Sequence, residues 1–88
     1  MNFTFKPHAI EQMQEREIPL QVVLEVLNHP EEITLAKNCR HTYQSIVQIN
    51  GKPYIVRAIV DPDGIVVTVY RSSKVSKYQG ENDEEDSD

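Results

Sequence analysis

Cysteine is nearly absent from this chain, which has one, Cys39, in 88 residues. A single thiol cannot form an intrachain disulfide, and alone it cannot provide a thiolate metal site. Two or three of the histidines could bind a metal together with carboxylates, but no close spacing suggests such a site, so we predict neither a metal nor any other cofactor. Long apolar runs are also lacking, which argues against a signal peptide or a membrane-spanning segment. We therefore expect a soluble cytoplasmic protein that does not contact a membrane.

The formal net charge of −5 is concentrated at the C-terminus. Residues 81–88 contain six of the 14 acidic groups, whereas residues 1–80 carry eight acidic groups against nine lysines and arginines. The terminal segment has no apolar residue with which to bury surface. We predict a single domain over residues 1–79, close to neutral, followed by a disordered acidic tail over residues 80–88.

The most informative stretch is residues 40–71, which reads as two β-hairpins that share a strand. Asn50-Gly51 is typical of a type I′ turn, because both central residues of that turn need a positive φ. Asp-Pro-Asp-Gly at residues 61–64 marks the second turn. The runs between them are rich in Val, Ile, Tyr and Thr, which favour strands. The pattern predicts antiparallel strands near residues 41–49, 53–60 and 65–71.

Turn length sets which side chains meet across this sheet. The two-residue turn places Gln44 opposite Arg57, and a four-residue second loop places Arg57 opposite Thr68. Side chains alternate between faces, so one face is expected to be apolar. The other face is expected to carry a line of polar side chains from Arg40, Gln44, Arg57, Thr68 and Tyr70. A bulge at Gly64 that shifted the third strand by one residue would remove Thr68 and Tyr70 from this line.

Two helices are expected before the strands, near residues 8–17 and 19–28, each with a proline at its first turn. His8, Gln12 and Arg16 follow at intervals of four, so they line one edge of the first helix. The second helix is apolar over most of its circumference and should be buried. With a short strand near residues 32–36, the predicted class is α+β: two N-terminal helices packed on a three- or four-stranded antiparallel meander.

Three motifs occur in a characteristic order. H-A-x-x-x-M-x-x-R-x-I begins at His8, Pro-Glu-Glu-Ile occupies residues 30–33, and T-V-Y-R-x-x-K-x-x-K-Y begins at Thr68. Together they resemble a widespread bacterial family of domains of unknown function, over about Phe5 to Tyr78. That family is similar to the BrnT and RelE-type toxins, which have the fold of small metal-independent ribonucleases. The resemblance implies a RelE- or barnase-like arrangement of the predicted helices and strands.

The resemblance also makes a metal-independent endoribonuclease, the toxin of a toxin–antitoxin pair, the candidate function. RNA would be the substrate and a small antitoxin-like protein the partner. In such a reaction the ribose 2′-OH attacks the adjacent phosphate. The candidate catalytic residues are His8 for proton transfer, Arg57 for the developing negative charge, and Tyr70. The candidate phosphate- or RNA-binding residues are Arg16, Arg40, Gln44 and Thr68. We expect His8, Arg16, Arg57 and Thr68 to converge on one phosphate site.

Each candidate also has a structural interpretation. His8 and Arg16 are also typical of a helix edge that hydrogen-bonds to a sheet. Arg57 fits a solvent-facing row or an ion pair with Glu11, Glu15 or another carboxylate. Arg40 fits the charged start of an edge strand, and Thr68 and Tyr70 are common strand formers. The alternative function is accordingly a non-catalytic binding or regulatory module with the same fold.

Deletion of residues 81–88 should leave the thermal unfolding midpoint almost unchanged, because these residues have no apolar surface to bury. Thermal unfolding of the full and truncated chains tests this expectation. A large fall in Tm on deletion would instead indicate that the acidic segment docks on the domain.

Overall fold

The computed structural model describes residues 2–78. Its elements, in chain order, are β1 (Thr4–Phe5), α1 (Pro7–Glu15), α2 (Leu20–Asn28), β2 (Glu32–Leu35), a 3₁₀ turn (Lys37–Cys39), β3 (His41–Ile49), β4 (Lys52–Val60), β5 (Ile65–Ser72) and α3 (Val75–Tyr78). The predicted α+β class with two N-terminal helices is confirmed. The predicted tail lies outside the described residues, so its disorder and the domain boundary stay predictions.

The sheet has five strands in the order β1-β5-β4-β3-β2. β1 runs parallel to β5, and the other neighbouring strands are antiparallel. The sheet is therefore mixed, whereas the sequence predicted three or four antiparallel strands. The difference arises from the first residues, where Thr4 N–H donates to the carbonyl of Gly64 and Lys6 N–H to that of Val66, both at 3.1 Å. A two-residue strand is too short to show alternation in a sequence.

The hairpin of β3 and β4 follows from its turn. Asn50 and Gly51 both have positive φ, 53° and 78°, as the type I′ geometry requires. The strands pair continuously from Ile49 opposite Lys52 outward, so that Gln44 lies opposite Arg57. This register agrees with the prediction from the sequence.

The register of β4 and β5 differs from the prediction. Arg57 lies opposite Tyr70, and Thr68 lies opposite Ile59. One residue of the shift comes from the turn, since Val60 pairs with Val66 rather than with Ile65; a bulge between Ile59 and Val60 adds a second. A shift of two residues preserves the alternation, so Thr68 and Tyr70 stay on the face of Arg57.

The core lies between α2 and one face of the sheet, which we call the helix face. Because of the bulge, Val66 is fully buried there, whereas the predicted core position Val67 is only half-buried. The buried apolar cluster joins α1, α2 and the strands, and includes Ala9, Met13, Val23, Val26, Leu27, Val56, Ala58, Val60, Val66 and Val69. The opposite face, which carries Arg57, is called the polar face below.

Helix α1 ends earlier than the predicted residue 17, because Glu17 adopts a left-handed conformation with φ 55°. Ile18 N–H donates to the Met13 carbonyl at 2.8 Å and Glu17 N–H to that of Gln14 at 3.2 Å. This pair of bonds is a Schellman motif formed without glycine. It turns the chain so that Ile18, 3% exposed, enters the core.

Side chains of α1 close the edge of β5 beyond the short strand β1. Gln12 Oε1 accepts from the backbone N–H of Val69 at 3.2 Å, and Arg16 Nη1 donates to the Val69 carbonyl at 3.3 Å. Thr68 Oγ1 also donates to Gln12 Oε1. Two helix residues one turn apart thus occupy the hydrogen-bonding positions that a neighbouring strand would otherwise fill.

Replacement of Gln12 by alanine should lower the free energy of unfolding by about 1–2 kcal/mol, because it removes the acceptor of the Thr68 and Val69 bonds. Gln14→Ala is the matched control, since Gln14 is an exposed residue of the same helix. Equilibrium urea unfolding measures both values. Equal losses in the two variants would contradict a capping role for Gln12.

Candidate functional site

A row of four side chains crosses the polar face, one from each of four neighbouring strands. The residues lie directly opposite one another in register: Glu32 of β2, Gln44 of β3, Arg57 of β4 and Tyr70 of β5. Arg57 Nε donates to Gln44 Oε1 at 2.8 Å, and Arg57 Nη1 donates to Tyr70 Oη at 2.6 Å. Gln44 Nε2 donates to Glu32 Oε1 at 2.9 Å. We call these four residues the polar row.

Gln44 links the cation and the carboxylate of the polar row, because it accepts one hydrogen bond and donates another. Its carbonyl oxygen faces the guanidinium of Arg57 and its amide nitrogen faces the carboxylate of Glu32. The opposite amide orientation would set two donors against each other at Arg57 and two acceptors against each other at Glu32. The row therefore runs from a fixed cation in β4 to a carboxylate in the edge strand.

Arg57 is an unusual residue for the middle of a sheet, because its side chain is only 2% exposed. A buried guanidinium is stable only when its donors are hydrogen-bonded. Its Cζ atom also lies 5.6 Å from the ring centroid of Tyr70, within the range of a cation–π contact. Burial lowers the local dielectric and strengthens the attraction of this cation for negative charge. These contacts also hold its plane in one orientation.

Thr68 and Arg16 lie beside the polar row, at the edge of β5. Thr68 is two residues from Tyr70 on the same strand face, and its hydroxyl contacts Gln12. Arg16 is exposed and uses one nitrogen for the Val69 carbonyl. Two of the predicted site residues, Arg16 and Thr68, thus lie close together at this edge. Arg16 does what the structural interpretation predicted, and its other guanidinium donors remain at the surface.

The remaining two candidates are not hydrogen-bonded to the polar row within residues 2–78. His8 is exposed in the first turn of α1, and within residues 2–78 its side chain makes no hydrogen bond. Arg40 forms an ion pair with Asp61, with Nε 2.6 Å from Oδ1. That pair lies at the end of the sheet near the turn between β4 and β5. The convergence of His8 with the arginines therefore stays a prediction.

No group of three or more metal-ligating side chains occurs in the described part of the chain. Cys39 is exposed as a free thiol in the 3₁₀ turn. Within residues 2–78, moreover, no helix combines the length and the apolar content that a membrane crossing demands.

Two members of the site were not predicted from the sequence. Glu32 ends the polar row, and Gln12 joins Thr68 to the helix. The helical spacing placed Gln12 between His8 and Arg16 on one edge of α1. Its hydrogen bond to the backbone of β5 was not predicted, because such a contact produces no recognisable sequence pattern. Glu32 would have been found by extending the register to β2, where it lies opposite Gln44.

Replacement of Gln44 by leucine should lower the free energy of unfolding by about 1.5–3 kcal/mol, because it removes the acceptor of a buried charged donor, Arg57 Nε. Gln48→Leu is the matched control: Gln48 lies on the same face of β3 but is exposed, and its replacement should change stability by less than about 0.5 kcal/mol. Denaturant unfolding of the two variants measures the difference. Similar values for both would contradict a linking role for Gln44.

One family model includes most of this architecture. The model, described as a domain of unknown function, DUF4258, matches residues 5–71, from the second residue of β1 to the penultimate residue of β5. Neither a curated protein nor a solved structure matches the chain. The match includes α1 and the strands β2 to β4, with nearly all of β5, and hence every residue of the polar row. The chain belongs to the DUF4258 family.

Proposed function

We propose that this domain is a metal-independent endoribonuclease that binds RNA at the polar face. The observation that carries the proposal is the contact of Arg57 with the hydroxyl of Tyr70, at 2.6 Å. It pairs a fixed cation with a group that can transfer a proton. A ribonuclease that works without a metal needs these two chemical roles, together with a base.

The proposed reaction is transfer within the RNA backbone. The 2′ oxygen forms a bond to the adjacent phosphorus while the bond from phosphorus to the 5′ oxygen breaks. His8 takes the proton of the 2′-OH, and Tyr70 gives a proton to the leaving 5′ oxygen. Arg57 and Arg16 stabilise the negative charge of the phosphorane, and Arg57 also faces the charge left on Tyr70.

The geometry at Tyr70 favours a proton-donor role. Its oxygen accepts from Arg57 through a lone pair, so the hydroxyl hydrogen is directed away from the guanidinium. Gln44 and Thr68 supply neutral polar groups on either side of this pair. Thr68, beside Arg16 at the edge of β5, is suited to orient the reacting phosphate. Arg40 would extend the contacts to a neighbouring phosphate once it is released from Asp61.

The resemblance of the motifs to BrnT and RelE-type toxins supports the same function. On that resemblance the fold is RelE- or barnase-like, the protein acts as the toxin of a toxin–antitoxin pair, and a small antitoxin-like protein is its partner. A short adjacent reading frame of the antitoxin type would agree with this assignment.

A non-catalytic RNA- or anion-binding module is the second candidate. It is favoured by the burial of Arg57, whose Nε and Nη1 donors are both engaged inside the polar row. In this alternative Arg57 stabilises the sheet, and the exposed Arg16 binds the RNA or the anion.

The two candidates are separated by incubating end-labelled RNA with the protein in EDTA. An endoribonuclease should leave 2′,3′-cyclic phosphate ends and should bind, but not cleave, a substrate with a 2′-deoxy linkage. His8→Ala and Tyr70→Phe should each lower the cleavage rate by about 10²–10⁴-fold, the usual effect of losing a proton-transfer group.

A matched control exists on the helix face. Arg71 lies over Tyr54, with Cζ 4.4 Å from the ring centroid, which reproduces the Arg–Tyr pairing outside the proposed site. Tyr54→Phe should leave cleavage unchanged. Salt-dependent binding without cleavage would favour the binding module, and the absence of both would refute the two candidates together.

A further inference from the structure

The two edges of the sheet differ in how far they are covered by other parts of the chain. The β5 edge is covered by β1 and by the side chains of Gln12 and Arg16, whereas β2 pairs with β3 alone within residues 2–78. The β2 edge also exposes apolar side chains: Ile33 is 48% exposed and Leu35 is 67% exposed. An uncovered apolar edge strand is a template for pairing with another strand.

The backbone groups available at this edge can be identified from the register. Ala36 N–H donates to the Arg40 carbonyl at 2.8 Å, so Ala36 is a hydrogen-bonded partner of β3. Bonded and non-bonded positions alternate along an antiparallel pair. Thr34 therefore points its backbone toward β3, and Ile33 and Leu35 point theirs outward. Two N–H groups and two carbonyls form the open edge.

We propose that β2 pairs antiparallel with β2 of a second copy of this chain, with the two-fold axis at Thr34. Ile33 of each copy then lies opposite Leu35 of the other. Every outward N–H of these two residues meets an outward carbonyl, which gives four hydrogen bonds between the chains. The exposed side chains of Ile33 and Leu35 form cross-strand apolar pairs.

The charges that flank β2 suit this pairing. Glu31 precedes the strand and Lys37 follows it, so antiparallel pairing sets each glutamate opposite the lysine of the other copy. Both residues are exposed. In the single chain Glu31 Oε1 accepts from Ile46 N–H of β3 at 3.0 Å, so the carboxylate must rotate from β3 toward the open edge to meet Lys37 of the other copy. Parallel pairing would instead bring like charges together.

A buried hydroxyl at the centre of the edge supports the same register. Thr34 Oγ1 is buried and has no hydrogen-bond partner in the described part of the chain. On the two-fold axis the two Thr34 residues form a non-hydrogen-bonded backbone pair, where side chains lie closest. Rotation about Cα–Cβ lets their hydroxyls bond to each other, as cross-strand threonines do.

The paired sheet keeps both polar faces on one side. Strands that join edge to edge in one sheet preserve its two faces, so the second polar row lies beside the first on a continuous surface. The contact involves only a short strand from each copy. Interfaces much below about 1,200 Å² are weak, so monomer and dimer should exchange as the concentration changes.

Sedimentation equilibrium of the full chain over a series of concentrations tests the proposal. The mass should rise from the monomer value of 10.1 kDa to twice that value. Leu35→Pro should weaken association by about tenfold or more, because it removes an outward N–H twice in the dimer. It spares the bonds to β3, since the N–H of Leu35 is not used inside the chain.

Leu35→Lys gives the same test without a backbone change, and circular dichroism shows whether each variant is folded. Leu20→Lys is the matched control, because Leu20 is an exposed leucine, 53% accessible, that belongs to α2 and not to the edge strand. It should dimerise like the parent chain. A parent chain that stays monomeric up to about 1 mM, where even weak complexes form, would overturn the proposal. Dimerisation that survives both Leu35 variants, or that Leu20→Lys weakens equally, would also overturn it.

Discussion

The two-residue turn at Asn50 and Gly51 determines which side chains meet in the middle of the sheet. It fixes the register that places Gln44 opposite Arg57. A slip of one residue would turn Gln44 toward the helix face and leave the buried guanidinium without its acceptor. The cost of an unpaired buried cation thus reinforces the register that the turn prefers, and the local and long-range preferences agree.

The polar row explains how a sheet with an apolar core can contain an arginine. The guanidinium of Arg57 is linked through the amide of Gln44 to the carboxylate of Glu32, across two strand spacings. Chains of hydrogen bonds polarise one another, so the amide transmits part of the charge compensation. A cation held in this way is fixed in one orientation, which is the property expected of a preorganised site.

The β-hairpin was predictable from the sequence because short-range chemistry controls it. Asn50-Gly51 favours a type I′ turn, which sets the register of β3 and β4. The alternation of side chains along the strands then determines which face each residue occupies. The partner of Arg57 in β5 was not predictable, because it depends on a register shift between Ile59 and Val60 that no turn residue marks in the sequence. The shift places Val66 in the core. The same limit applies to the parallel strand β1, which is defined by its partner rather than by its two residues.

Helix α1 was likewise predictable in part. Its apolar stripe and the alignment of Gln12 with Arg16 follow from the helical repeat, whereas its end does not, because Glu17 replaces the glycine that usually marks such a turn. Of the candidate site, Gln44, Arg57 and Tyr70 were found from strand alternation. Glu32 was missed because its place requires the pairing of the edge strand.

The capping of Val69 has a consequence for how far such a sheet can be extended. A strand that joins another copy through an open edge can lead to endless fibres if the opposite edge is open as well. Here Gln12 and Arg16 already occupy the N–H and the carbonyl that a newcomer would need, and β1 beside them is only two residues long. Polymerisation of the domain would therefore lack a second point of growth, and edge-to-edge addition would end after one step.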